Sequence, residues 1–526
     1  MIISLSVLVI TIIVSGTYAL YKAQLSKNIG VNTTTHGLAY YINYVKGTDI
    51  TAATLNPSTS YEGGASSDIE FWKKDGSYDI YGKIELTVNT IGTNLSNSPA
   101  IKYAVVNNGN VLKQGSLKGT TSGSKVTILK NLYLEQTKQI YTVYVWLDKS
   151  EELGDISNES LSISVDCTAS LQKEPTAAET IISLYTNASK TTAKNNSITY
   201  NYANIYDTDS DDNTSGGLMN DRLGGTTTDL DGGNIRYYGA SPNNYIYFNC
   251  SDYSNQTSST CETWRIIGVF DGKLKLIRGS QIGTYSWDNK NTSTGAEDNY
   301  GKNDWTTARL MKLLNPVDYY INDNNDKDSE GNYLGYSLYY NSASGKCYSG
   351  QNNATVDCDF TSTGIKNDIT RNMIAETTYN LGGWHSSSVY PNQIYEYERG
   401  TTVYTGRPTT PWTGKIALAY PSDYGYAADL NQCKDKTLYD YDNSTCTSNN
   451  WMKSIITNNG SYGGWLLTPI SGNSSIVWFV YSSGLVSSGD IDAYLANGAV
   501  PVLSLSSELG IESGDGTSNN PYKLSA

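Results

Sequence analysis

The chain holds little histidine and little charge. Its 526 residues include only two histidines, His36 and His385, far apart in sequence. That excludes in practice a Ser-His-Asp triad and a histidine-rich zinc site, since both need imidazole beside other ligands or catalytic groups. Each histidine reads as a lone surface or loop residue. Charged residues make up 17% of the chain, against about 25% in an average globular protein. No basic surplus exists: the net charge is −14 and the pI about 4.7. Without a basic stripe there is nothing to replace counterions on a nucleic acid, so that class of partner is excluded. Acidity of this size is otherwise ordinary for a soluble secreted protein.

Lys, Glu, Ala and Leu, which would build helices, give way to Tyr, Asn, Ser, Thr and Gly, with Tyr at 44 and Gly at 48. This is the composition of extracellular, mainly β proteins with long polar loops. The length suggests about two to four domains. Six of the seven cysteines form three short-range couples, Cys250/Cys261, Cys347/Cys358 and Cys433/Cys446. Couples of this kind belong to oxidising compartments, and closeness in sequence favours local pairing among the connectivities open to six cysteines. Cys167 is left over, either as a buried thiol or as one half of an intermolecular disulfide.

Residues 1–21 carry no charged side chain and include the run Val7 to Val14. As a helix the segment is long enough to cross a bilayer. It reads as a membrane anchor within residues 1–25, with a secretory signal cleaved near Ala19 as the rival reading. Lys22 and Lys27 follow it, and by the positive-inside rule they would place the body inward. The cysteine couples argue for the outside, so the expected location is the cell surface.

Residues 36–168 have the pattern of an Ig-like β-sandwich. Ile80, Gly82, Ile84, Leu86 and Val88 alternate with polar partners, and Asn108-Gly109 suits a type I′ turn between Ala104 to Val106 and Val111. Further strands are expected at 125–130, 140–147 and 161–165, with Trp146 as a core anchor. Residues 169–197 are expected to form a hinge with one short helix, where Thr176 and Glu179 match a capping box. Residues 207–233, rich in Asp, Gly and Thr, read as a surface loop. The remainder, 198–526, is a second body with short strands, long loops and one clear helix. In that helix Asp304 caps a stretch carrying Leu310, Leu313 and Leu314, and Pro316 stops it.

Within that body, Cys261-Glu262-Thr263-Trp264-Arg265-Ile266-Ile267-Gly268-Val269 gives an early strand. Gly463-Gly464-Trp465-Leu466-Leu467-Thr468-Pro469 comes late, followed by Val477 to Val480, Gly484-Leu485-Val486 and Val500-Pro501-Val502-Leu503-Ser504-Leu505. These elements resemble bacterial surface proteins with a C-type-lectin-like fold of the formylglycine-generating-enzyme type. Val500 stands where that group usually has Arg. The anchor-plus-sandwich portion is similar to the front half of surface proteins from AT-rich Gram-positive-type bacteria. A weaker likeness links residues 36–168 to sandwich proteins of biofilm fibres. The implied architecture is mainly β with an α+β head: anchor, sandwich, lectin-like domain.

Binding is expected rather than catalysis, since the enzymes that this fold resembles use an accessible cysteine pair and here the cysteines are expected to staple loops. Adhesion to a glycan or to a surface protein is the expected role. A subunit of an extracellular filament or coat, self-associating through the anchor and sandwich edges, is the alternative, and a formylglycine-generating-type enzyme is a further one. Trp478, Tyr481 and Tyr494 in the late hairpins are the candidate ligand residues, with both tyrosines expected at the surface. No cofactor is expected beyond calcium. Asp326-x-Asp328-x-Glu330-Gly331 opens like a calcium loop, although Ser337 stands where an EF-hand needs Glu. Asp207-x-Asp209-x-Asp211 is a poorer match, because Asp212 replaces the glycine.

Overall fold

The alternation at 80–88 becomes a strand whose even-numbered residues are buried and whose odd-numbered residues stay partly exposed, as a sheet with one packed face requires. In the computed structural model this strand is part of a β-sandwich. The structure describes residues 23–25 and 41–525, apart from 52–54, 56, 75, 77, 152, 157, 205–214, 223–232, 254, 290–299, 322–326, 328–330, 332, 401–410, 458–461 and 490. Strand takes 41% and helix 15%, so the chain is mainly β. Among the described residues no helix is long and apolar enough to cross a membrane. The expected anchor, within residues 1–25, lies outside them except at Ala23–Leu25, which is corrected to a strand because it pairs with Leu161–Ser170.

The sandwich strands are β1 (Ala23–Leu25), β2 (Ile42–Val45), β3 (Ile50–Thr51), β4 (Pro57–Ser58), β5 (Ala65–Lys73), β6 (Tyr81–Ile91), β7 (Ile101–Asn107), β8 (Asn110–Ser116), β9 (Lys125–Tyr133), β10 (Ile140–Asp148) and β11 (Leu161–Ser170). One sheet runs β1-β11-β6-β9 with β3 on β11; the other runs β2-β5-β10-β7-β8 with β4 on β10. Ile69, Phe71, Ile84, Leu86, Val105, Val143 and Ile163 meet between them. Asn108 and Gly109 both take positive φ and join β7 to β8, so the expected turn forms. Trp146 departs from expectation. It is buried, but on the outer face of its sheet with Ala104 and Val106, beneath Tyr61. Position 146 lies one residue out of phase with Val143 and Val145, which fill the core.

Residues 169–197 do not behave as a hinge. Thr176 and Glu179 exchange the two capping-box hydrogen bonds, at 3.1 and 2.8 Å. The helix they start, Ala177–Asn187, buries Ala177, Ala178, Ile181 and Tyr185 in the core of the second body. Strand Ser189–Asn195 then opens that body's largest sheet. Only residues 171–176 run between the two cores, and Asn131 of β9 holds Glu174 there through both backbone groups. The apolar face of the helix decides the matter, since a helix with an apolar stripe packs where an apolar surface is offered.

In the head, strands Ser189–Asn195, Ile198–Asn204, Ser215–Asn220, Ile235–Ser241, Glu262–Phe270, Lys273–Arg278, Val502–Ser504 and Ile416–Ala417 follow one another across a sheet. Ser215–Asn220 is thus a strand, not part of a surface loop. A second sheet orders Thr284–Ser286, Ala496–Gly498, Gly463–Pro469, Val477–Tyr481 and Val486–Ser487. Helix Arg309–Leu314 buries all six of its residues, Leu310, Leu313 and Leu314 included. Asp304 does not cap it. Its carboxylate holds Thr306 in a preceding turn, and Ala308 stands at the helix start. Three disulfides close local loops, Cys250–Cys261, Cys347–Cys358 and Cys433–Cys446, as expected.

Candidate functional site

Strand Val477–Tyr481 sits inside its sheet and is covered on both faces. Trp478 and Val480 enter one core cluster, while Phe479 enters the other and Tyr481 packs against it. Trp478 is therefore fully buried, and Tyr481 is half-buried, edge-on to Phe479 at 5.2 Å. Tyr494 is 7% exposed, stacked on Tyr300 with its hydroxyl accepting from Gln351 at 2.7 Å. The expectation of two surface tyrosines is corrected at Tyr494. Tyr494 lies in a turn rather than on a strand, and Tyr300 and Gln351 cover it. Along Val477–Tyr481 alternation does not sort inside from outside, because both faces are covered.

What Trp478 does instead is support a different aromatic group. Its indole Nε1 donates to the backbone oxygen of Trp384 at 3.2 Å, and the Ser488 hydroxyl donates to that of His385 at 3.3 Å. The rings of Tyr397 and Trp384 are stacked, 3.8 Å between centres and within 5° of parallel, and the His385 ring lies 4.4 Å from that of Trp384, tilted by 44°. Tyr397 and Trp384 are half-buried and His385 is exposed. Two glycines make this placement possible. A Cβ on Gly382 would stand 2.3 Å from the Tyr397 oxygen, and one on Gly383 2.2 Å from the Pro469 oxygen. Only a bare backbone passes between helix Pro391–Glu398 and strand Gly463–Pro469, and it delivers Trp384 onto Tyr397. On the far side, Leu438 and Tyr439 donate backbone N–H groups to Val389 and Ser387, which fixes the rest of the loop.

A fully enclosed charge network lies under the same helix. Arg236 reaches Asp221 through Nε and Asp423 through Nη1 at 3.0 Å, and Lys275 pairs with the other Asp423 oxygen. The guanidinium carbon lies 4.6 Å from the ring centres of both Phe270 and Tyr426. Burial works against an ionised Asp423, yet Lys275 and Arg236 outweigh it and hold the carboxyl below its usual range. Glu398 meets the partly exposed guanidinium of Arg399 at 3.4 Å. Burial pushes its carboxyl up to about 7, against the pull of Arg399 and of the Ser422 hydroxyl and N–H, which donate to it at 2.6 and 2.9 Å. All five charged groups are buried. Through the Ser422 bonds to Glu398 the network ties helix Pro421–Ala427 to helix Pro391–Glu398.

Asp326, Asp328 and Glu330 lie outside the described residues, as do Asp207, Asp209 and Asp211. Among the described residues no cluster of metal-ligating side chains occurs. The six head cysteines are all paired, and Cys167, on β11, is 1% exposed in the sandwich core. Burial pushes its thiol well up, with Asp166 and Glu85 adding to the effect, so neither a reactive thiolate nor an intermolecular bridge fits that position.

Comparison of the chain with protein-family models, curated proteins and solved structures found no match. The aromatic ladder itself was missed in the sequence. A signal was present, because Gly382-Gly383-Trp384 repeats the Gly463-Gly464-Trp465 pattern, and both place a tryptophan after a backbone that must pass close to another strand or helix.

Proposed function

We propose that this is a surface-displayed, adhesin-like binding protein of a bacterium, in which an anchor and an Ig-like sandwich carry a C-type-lectin-like head. The ligand is a glycan or a protein on another surface. The observation that carries this reading is the Tyr397–Trp384–His385 ladder, partly open to solvent and held from behind by Trp478 and Ser488. Stacked aromatic faces beside hydroxyl groups, here Ser386 and Ser388, suit the C–H faces of sugars and the apolar anchors of protein partners. Three disulfides agree with an oxidising exterior. Calcium remains part of the reading through Asp326, Asp328 and Glu330.

The test is an array of glycans and host surface proteins probed with the purified chain, with and without calcium. Tyr397→Ala and His385→Ala should each weaken a specific hit about tenfold, as loss of an aromatic contact at an interface does, while Tyr481→Ala should leave it unchanged. Equal losses from Tyr481→Ala and none from the ladder variants would return the site to the late hairpin. An array without hits would remove the adhesin reading in favour of a coat or filament subunit.

A further inference from the structure

The sandwich and the head meet across a cavity of about 770 Å³ that neither the ladder nor the charge network touches. Small-molecule sites run from roughly 300 to 1,000 Å³. One wall comes from the edge strands β8 and β9, the other from helix Ala177–Asn187, helix Asp368–Met373 and residues 506–509. Val126, Leu129, Ile182, Ile369, Met373 and Leu509 make it predominantly apolar.

One cation is set into this wall. Lys130 of β9 reaches across to the head, where its Nζ lies 3.0 Å from the point a Cβ on Gly510 would occupy. That nitrogen is buried and has no hydrogen-bond partner among the described residues. The other two lysines of the cavity are already matched, Lys113 with Glu508 at 2.7 Å and Lys173 with Glu179 at 3.8 Å. Among the described residues that line the cavity, one positive charge is left over, in a chain whose net charge is −14. An unpaired buried ammonium is costly, and a carboxylate paired with it offsets that cost, while burial of an attached aliphatic chain offsets the carboxylate's own desolvation.

We propose that the interdomain cavity binds a monoanionic amphiphile, an aliphatic chain lying along the apolar wall with its carboxylate on Lys130 Nζ. The inference stands apart from the ladder, which is on the head alone. Burial pushes the Lys130 amine down to about 8; Glu174 and Glu508 favour its charge, and Lys83 and Lys113 oppose it. The ammonium is thus the main form at neutral pH and is lost in mild alkali.

The experiment is calorimetric titration of the full chain with dodecanoate, dodecanol and dodecyltrimethylammonium. Dodecanoate should bind about tenfold or more tightly than dodecanol, the gain expected of a charge-assisted contact, and the cation should show no binding. In Lys130→Met that preference should vanish with dodecanol affinity retained, and Ile182→Trp, which narrows the cavity, should weaken both. On the unaltered protein the preference for the acid should fade as pH rises past about 8, which keeps the test independent of whether Lys130→Met folds. Equal affinity for acid and alcohol, a preference that survives in Lys130→Met or at high pH, or binding of none of the three would overturn the proposal.

Discussion

Between the sheets of the sandwich lie Ile69, Phe71, Ile84, Leu86, Val143 and Val165; at the same depth in the head lie Arg236, Lys275, Asp221, Asp423 and Glu398. The sandwich keeps its ion pairs outside, as with Lys102 between Asp148 and Glu151 at 2.9 Å each. Its strands run up to eleven residues and satisfy one another's backbone groups across the sheets. Head strands are mostly shorter, and long connections separate them. Those connections need other partners, which the disulfides and the buried network supply. The difference teaches that regular alternation is enough to close an apolar core, whereas an irregular body draws on side chains distant in sequence. It also accounts for the loop 382–390, which an irregular body holds in place with side chains from behind.

The sharpest way to break this contrast is Asp423→Ala. It strands Lys275 and one arm of Arg236 in the interior, and removal of one partner from a buried pair costs about 3–5 kcal/mol. Head unfolding should move to lower urea while the sandwich transition stays. Tryptophan fluorescence reads this, because only Trp72 and Trp146 lie in the sandwich. Removing a staple comes next. Cys433→Ser with Cys446→Ser opens a loop of separation 13 and should cost the head up to about 3 kcal/mol. Reductant should likewise destabilise the head and spare the sandwich; coincident loss of both would erase the distinction.

The pH dependence separates the two bodies further. Glu398 has a folded pKa of about 7, above its ordinary 4.5. Between those values the folded head keeps a proton that the unfolded chain releases, so head stability falls as pH rises through that window. Glu398→Gln should flatten the slope. Asp423 acts in the opposite sense, its stabilisation being present at neutral pH and lost as pH drops through the acid range. In the sandwich Asp148, drawn down to about 2, shows only that acid-side loss. The smallest effect belongs to Cys167. Cys167→Val should cost under about 1.5 kcal/mol, as volume-conserving core changes do, and iodoacetamide should label the native thiol only after the sandwich unfolds.

The same contrast decides what was legible in the sequence. Local rules delivered the strand at 80–88, the Asn108-Gly109 turn, the Thr176–Glu179 capping box and all three disulfides, because each depends on neighbours within a dozen or so residues. The helix at 177–187 was expected as an element and misplaced as a hinge, since what it packs on lies later in the chain. The head network joins Asp221, Arg236, Lys275, Glu398 and Asp423, and no periodicity links those positions. Tyr494 failed as a surface residue for a related reason: its burial depends on Tyr300 and Gln351, remote in sequence.

The central claim is that ligand is held on the loop and helix that carry the ladder. Hydrogen–deuterium exchange on the full chain, with and without a ligand identified on the array, tests it most directly. The account predicts slowed exchange within 382–398 and unchanged exchange in β5 and β10. Protection confined to the sandwich strands, with 382–398 unaffected, would contradict it.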